Sequence, residues 1–372
     1  MKVLTVFGTR PEAIKMAPIV KELEKRKNIE SVVAVTGQHR QMLDQVLSIF
    51  NIKPDYDINI FKPGQTLTEI TTNSMLGLEK VLDEVKPDVL LIQGDTTTVF
   101  SASVAAFYKK IKIGHIEAGL RSGNIYSPFP EEANRKLTGI LTNYHFAPTE
   151  TNRDNLLREG YDEKNIFVTG NTVIDALKYA IKDNYVFDEE ILNSIDYENK
   201  KVILLTSHRR ENIGQPMENI FKAVEDVVME EKDVEVIFPV HLNPKVREIA
   251  HKYFDGKDRI HMIEPLDYLP FSNLMNKVYL VMTDSGGVQE EAPALGKPVL
   301  VLREETERME GVLADTAKLL GTDYKVIYDN FKNLLHNKDE YNKMAHAINP
   351  YGDGNSAKKI IDILEEEFEK EK

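Results

Sequence analysis

Short runs that are apolar at nearly every position recur along the chain, and several end in glycine or another small residue from which a helical pattern opens. Residues 3–7, 31–35, 88–93 and 113–117 are such runs in the first half; 202–206, 234–239, 259–263, 280–283 and 298–303 are their counterparts in the second. A strand that is apolar on both faces must be covered on both faces. That is the condition of a parallel sheet flanked by helices, and not of an antiparallel sheet with one wet side. Between the runs, residues 41–50, 70–85, 99–110, 130–142 and 268–276 carry helical patterns. The first helix is expected from Thr9-Arg10-Pro11-Glu12, which has capping-box spacing with proline in the first turn, through about Arg26. Repeated winding of this kind predicts an α/β fold with doubly wound sheets and right-handed crossovers.

At 372 residues the chain exceeds one typical core, and two domains fit a prior of roughly 150 residues each. The two halves echo one another. Val202 to Arg210 repeats the design of Val3 to Arg10, an apolar strand ending in a small residue and then cationic side chains. Leu90 to Thr96 likewise parallels Leu280 to Ser285. Each half should therefore carry its chemistry at the carboxyl ends of its strands. The expected domains are 1–170 and 171–354, with an irregular acidic stretch at 183–200 before the second sheet begins. A breaker cluster at 350–355 releases a terminal helix, 357–372, and the segment 355–372 is expected to join the first domain.

Composition removes several classes. A formal charge of −13, with no dense Lys/Arg block, excludes a nucleic-acid backbone as partner, and an anionic substrate would need a local basic site. Cysteine is absent, which removes disulfides, thiolate zinc sites and cysteine nucleophiles. No signal-peptide core and no membrane-length apolar run is present, so a cytoplasmic protein without a membrane partner is expected. The nine histidines show no paired metal-ligand spacing, and neither G-x-G-x-x-G nor a P-loop occurs. No metal and no cofactor is expected.

Thr283 to Glu291 is where a strand feeds Ser285-Gly286-Gly287 into a helix. Two readings are open: a tight turn needing positive φ, or a phosphate seat of backbone N–H groups at a helix start. On the second, Ser285 adds a hydroxyl donor and Glu291 lies far enough along to reach a ribose. Arg10 and Lys15, at the first helix, suit either solvent or a diphosphate. Asp95 and Glu117 end successive strands, and Glu131 opens a helix, where an acid ordinarily serves the dipole. His208 ends a strand beside Arg209 and Arg210 and could donate to phosphate.

An ordered set of motifs resembles the non-hydrolysing UDP-N-acetylglucosamine 2-epimerases over essentially the whole chain. It comprises Phe7 to Lys15, Gly94 to Thr98, Gly114 to Arg121, Ser127 to Arg135, His208 to Glu211, Pro239 to Pro244, Thr283 to Pro293 and Asn349 to Gly354. The resemblance implies two Rossmann-like domains facing across a cleft, a glycosyltransferase-B-like architecture. It implies that UDP-N-acetylglucosamine is epimerised at C2 by elimination of UDP to a 2-acetamidoglucal and re-addition, giving UDP-N-acetylmannosamine. Ser285, Gly286 and Gly287 would hold the diphosphate, Glu291 the ribose, and Leu266 and Phe271 the uracil. Arg10, Lys15, His208 and Arg308 would contact phosphate or sugar. Asp95, Glu117 and Glu131 would be the catalytic carboxylates, with Asp95 or Glu131 nearest C2 and Glu117 as partner. His208 joins the catalytic set through the departing diphosphate. Positions matching an activator site for a second UDP-N-acetylglucosamine are Gln38, Gln41, Glu131, Arg209 and His241, although Gly64 replaces an arginine found in some relatives. A homodimer is expected. The rival readings are a hydrolysing epimerase, a retaining glycosyltransferase and a UDP-sugar sensor without turnover.

Overall fold

A computed structural model describes every residue except His39, Glu371 and Lys372, together with the side chain of Gln41. The chain forms two compact units, Met1–Tyr179 with Tyr351–Lys372, and Ala180–Pro350. The first unit therefore runs past residue 170 and takes in most of the helix Thr172–Ala180. The chain returns to it at Tyr351, ahead of the helix Ser356–Lys370.

The first unit holds β1 (Lys2–Phe7), β2 (Glu30–Val35), β3 (Tyr56–Asp57), β4 (Val89–Gln93), β5 (Lys112–Ile116), β6 (Tyr144–Ala147) and β7 (Ile166–Val168). They form one sheet in the order β3-β2-β1-β4-β5-β6-β7, with every pairing parallel. All five residues of β4 are buried, as a central strand covered on both faces requires. On one face Leu4, Val6, Leu90 and Ile92 pack against Leu78 and Leu82 of the helix Leu67–Val85 and Ala102 and Ala106 of the helix Thr97–Tyr108. Burying each large apolar side chain there contributes about 1.5–3 kcal/mol. The helix Leu67–Val85 starts three residues before the expected position because Thr66 caps it: Glu69 Oε2 accepts from the Thr66 N–H at 2.7 Å, and Thr66 Oγ1 accepts from the Glu69 N–H at 3.2 Å.

The second unit repeats this plan. Strands β8 (Lys201–Thr206), β9 (Val234–Pro239), β10 (Ile260–Ile263), β11 (Leu280–Thr283), β12 (Val299–Val301) and β13 (Ala317–Leu319) form a parallel sheet in the order β10-β9-β8-β11-β12-β13. Its core sets Phe238 of β9 against Phe221 and Phe254, with ring centroids 5.3 and 6.0 Å away. The expected irregular stretch 183–200 contains one short helix, Glu190–Ser194. Among the described residues no helix is long and apolar enough to cross a membrane.

In both sheets the chain winds outward from its first strand, then returns to that strand's other side. The order reverses between β1 and β4, and again between β8 and β11. Loops leaving two such neighbours diverge to opposite faces and open a crevice beyond the strand ends. The echoing segments of the sequence are these two strand pairs.

Candidate active site

At the first switch point Glu12 joins the loops after β1 and β4. Its buried carboxylate accepts from the Gly8 N–H at 3.0 Å, the Thr9 N–H at 2.7 Å and the Thr96 hydroxyl at 2.7 Å. Burial raises its pKa more than these donors lower it. His115 braces the same place from β5. Its Nε2 lies 2.7 Å from the Gly94 carbonyl, an acceptor only, so this nitrogen carries the proton. Burial pushes the His115 pKa down to about 3, and the ring is neutral.

Asp95 leaves this braced loop, and Glu117 leaves β5 with a φ of 63°. A left-handed conformation at a residue bearing a large side chain costs on the order of 1–3 kcal/mol, a cost met by the contacts that its carboxylate makes. Arg135, four residues after Glu131 on the helix Glu131–Leu141, is 2 % exposed. Its guanidinium donates to the Asp95 carboxylate and to the Glu117 carbonyl, and to Glu117 Oε1 at 3.4 Å. Lys15 pairs with Glu117 Oε2, to which Asn171 Nδ2 also donates at 3.2 Å. Burial would lower the Arg135 pKa, but the charges of Asp95 and Glu117 hold it above its usual value. Two acids from adjacent strand ends are thus held together by one buried cation.

The second switch point is stitched by Asp284, fully buried after β11. Its Oδ2 accepts from the N–H groups of His208 and Arg209 at 2.8 and 2.9 Å, from the Ser207 hydroxyl at 3.1 Å and from Asn212 Nδ2 at 3.1 Å. His208 Nδ1 stands 3.1 Å from the other oxygen. Burial alone would raise the Asp284 pKa; His208 and the backbone donors outweigh it and hold the carboxylate ionised. His208 stacks on His241 with centroids 5.7 Å apart.

Next to it, Ser285 is the N-cap of the helix Gly286–Ala294 without a side-chain cap bond. Neither glycine of that helix start has positive φ, so the tight-turn reading is corrected. Close approach bears on Gly286 instead: a Cβ there would lie 3.2 Å from Arg308 Cζ, whereas one on Gly287 would meet Glu291 Oε1 at an ordinary 3.4 Å. Arg308 is held against the helix start by Glu290 at 2.9 Å and Glu307 at 3.3 Å. Gln289 completes the frame, donating to the Ser285 carbonyl at 3.1 Å and accepting from the Thr306 hydroxyl at 2.7 Å.

The family described as UDP-N-acetylglucosamine 2-epimerase matches residues 21–365. The chain belongs to the UDP-N-acetylglucosamine 2-epimerase family. It is 58% identical over 364 residues to the UDP-N-acetylglucosamine 2-epimerase of Bacillus subtilis, covering 98% of this chain and 95% of that one. It superposes on the UDP-GlcNAc 2-epimerase of Neisseria meningitidis, solved bound to UDP-GlcNAc, with a TM-score of 0.87 at 51% identity, covering 98% and 100% of the two chains. The Methanocaldococcus jannaschii enzyme in complex with UDP-GlcNAc and UDP gives a TM-score of 0.77 at 36% identity over 98% and 99%.

Of the residues that the resemblance to this epimerase family singled out, Lys15, Asp95 and Glu117 converge in the first unit. Arg10 opens the helix Arg10–Leu23, half-buried after β1. Glu131 stands half-buried at the first position of its helix, and its side chain makes no hydrogen bond or ion pair among the described residues. In the second unit His208, Ser285, Gly286, Gly287, Glu291 and Arg308 gather around β8 and β11. Leu266 and Phe271 are half-buried, at and just before the first turn of the helix Tyr268–Lys277. Of the activator positions, Gln38 Oε1 accepts from the Thr98 hydroxyl at 3.1 Å in the first unit. In the second unit Arg209 Nε donates to the Asp284 carbonyl at 3.2 Å, and His241 Nδ1 accepts from the Asn243 N–H at 3.1 Å. The Gln41 side chain, like residues 371–372 of the expected terminal helix, lies outside the described residues.

Arg135, Asn171, Asp284 and Glu12 were not singled out from the sequence. One signal was there for Arg135. It follows Glu132 and Asn134 and precedes Thr138 on the face of an amphipathic helix that the fold buries, and a cation on a buried face demands anionic partners.

Proposed function

We propose that this protein interconverts UDP-N-acetylglucosamine and UDP-N-acetylmannosamine, an isomerase reaction at C2 of the sugar. The observation that carries the reading is the buried Arg135 holding Asp95 and Glu117 together beside Lys15. C2 has no adjacent carbonyl to acidify its proton, so departure of UDP from C1 must supply the driving force. A carboxylate takes the C2 proton, the C1–O pair leaves with UDP, and a C1=C2 bond forms the 2-acetamidoglucal. UDP oxygen then adds back to C1 as a proton enters C2 from the opposite face.

Asp95 or Glu131 acts as the base. One Asp95 oxygen is bound to Arg135, while the other makes no hydrogen bond among the described residues and is able to accept a proton. Glu117, engaged by Lys15, Arg135 and Asn171, is fixed in place and stabilises positive charge developing on the sugar. Ser285, the Gly286 and Gly287 N–H groups and Arg308 take the diphosphate, with Arg10, Lys15 and His208 as further contacts to phosphate or sugar. Glu291 takes the ribose, and Leu266 and Phe271 the uracil. Gln38, Gln41, Arg209 and His241 are proposed as contacts for an activating second UDP-N-acetylglucosamine. The reading includes a homodimer in the cytoplasm, to be checked by light scattering and cell fractionation.

Incubation with UDP-N-acetylglucosamine in D2O, followed by NMR, tests it. Deuterium at C2 in intact UDP-sugars of both configurations is the expected result. Free N-acetylmannosamine with UDP would assign a hydrolysing epimerase; binding without exchange would assign a sensor; transfer only with an added acceptor would assign a glycosyltransferase.

A further inference from the structure

We infer that Asn171 is a positioning residue for this reaction: its amide fixes the Glu117 carboxylate and ties it to the segment on which the chain returns from the second unit. The inference rests on the role proposed above for Glu117.

Asn171 follows β7 by three residues and is 4 % exposed. Its side-chain oxygen accepts from the Val173 N–H at 3.1 Å, and its carbonyl accepts from the Ile174 N–H at 3.1 Å, which starts the helix Thr172–Ala180. With Oδ1 committed to a backbone donor, only the NH2 can face Glu117. The amide orientation is therefore dictated by its surroundings. Nδ2 donates to Glu117 Oε2 at 3.2 Å, the same oxygen that Lys15 pairs with.

The backbone of Asn171 makes the second half of the link. Its N–H donates to the Tyr351 carbonyl at 2.7 Å, and Tyr351 is the first residue of the first unit on the chain's return. The two segments cross with no slack. A Cβ on Gly170 would lie 2.5 Å from Ser356 Oγ and 3.2 Å from the Tyr351 carbonyl oxygen, and one on Gly352 would lie 3.3 Å from the Gly170 Cα and 3.6 Å from the Asn171 nitrogen. A shift of the return segment must move the Asn171 backbone. Because Oδ1 is held by Val173, the amide moves with it and carries the Glu117 oxygen. Reacting groups displaced by a fraction of an ångström to about 1 Å lose much of their advantage, so the return segment and the carboxylate act as one network.

Asn171→Ser and Asn171→Asp test this, because serine and aspartate cap helices about as well as asparagine. Serine's hydroxyl is one atom shorter than the amide that reaches Glu117, and aspartate has no donor and turns an oxygen toward it. A residue that only caps its helix leaves kcat unchanged in Asn171→Ser. The inference expects kcat of Asn171→Ser to fall roughly ten- to hundredfold with KM within about twofold, and kcat of Asn171→Asp to fall further. Asn171→Ser decides the matter if Asn171→Asp does not fold. Wild-type enzyme that exchanges deuterium into C2 while Asn171→Ser keeps kcat, or changes only KM, would overturn the inference alone. Wild-type enzyme without exchange would overturn the functional reading, and the inference falls with it.

Discussion

Replacing Arg135 by methionine keeps most of the buried volume and removes only the cation. The guanidinium is the donor shared by the Asp95 carboxylate and the Glu117 carbonyl, with Glu117 Oε1 a further 3.4 Å contact. Taking one partner from a buried ion pair costs about 3–5 kcal/mol. The Asp95 side chain is 27 % exposed, so water recovers part of its solvation, and a loss near the lower end, about 3 kcal/mol, is expected. A chain of two units need not unfold in two states, so hydrogen exchange of peptides from β4 and β5, read by mass spectrometry, isolates the first unit. Turnover at saturating UDP-N-acetylglucosamine should fall by about 10²-fold or more, because the acids lose their placement. An Arg135→Met enzyme with wild-type exchange in β4 and β5 and wild-type kcat would refute the reasoning.

His145 is buried, lies tilted against Tyr161 with ring centroids 4.7 Å apart and has its pKa lowered to about 4, first by burial and then by Arg121. Its folded pKa lies below the unfolded value of about 6.5, so the unfolded chain binds the extra proton, and stability falls as pH drops from about 6.5 to about 4; urea midpoints of His145→Phe should show a slope shallower by about one proton, and an equal slope would remove His145 as its source. Gly286→Val must displace the Arg308 guanidinium, since a Cβ there already lies 3.2 Å from Cζ; calorimetry should show UDP binding weakened about tenfold or more. Asp95→Asn and Glu131→Gln separate the two candidate bases: the variant that loses deuterium wash-in at C2, with kcat down about 10²-fold or more, identifies the base, and a variant exchanging at the wild-type rate is not it.

The long apolar strands were legible because burial on both faces leaves no polar position to break the run: β1, β4, β8 and β9 stand within a residue of where the pattern puts them. Several shorter strands were not. Tyr56–Asp57 and Ala317–Leu319 are too short for any period, and Tyr144–Ala147 hides a buried histidine that reads as polar. At the site, residues at strand ends could be read, because position after a buried strand is itself a signal. Arg135 and Asn171 matter through partners 40 and 54 residues away, and no local pattern encodes such pairings. The double glycine was legible as a special position, but the close neighbour of Gly286 is an arginine 22 residues on, visible only in three dimensions.

The first unit is discontinuous: its closing helix, Ser356–Lys370, is the last described element of the chain. That helix starts on Asp175, whose carboxylate accepts from the Ala357 N–H at 2.9 Å and the Ser356 N–H at 3.2 Å, and Arg26 clasps it through Asp362 at 2.7 Å and Glu365 at 3.0 Å. A ribosome makes these partners only after all of Ala180–Pro350. During synthesis at about 5–20 residues per second, the nascent first unit waits roughly ten to thirty seconds with Asp175 uncovered, while the second unit can already fold. The helix that covers Asp175 and pairs with Arg26 thus joins the first unit only after the whole of the second unit has been synthesised.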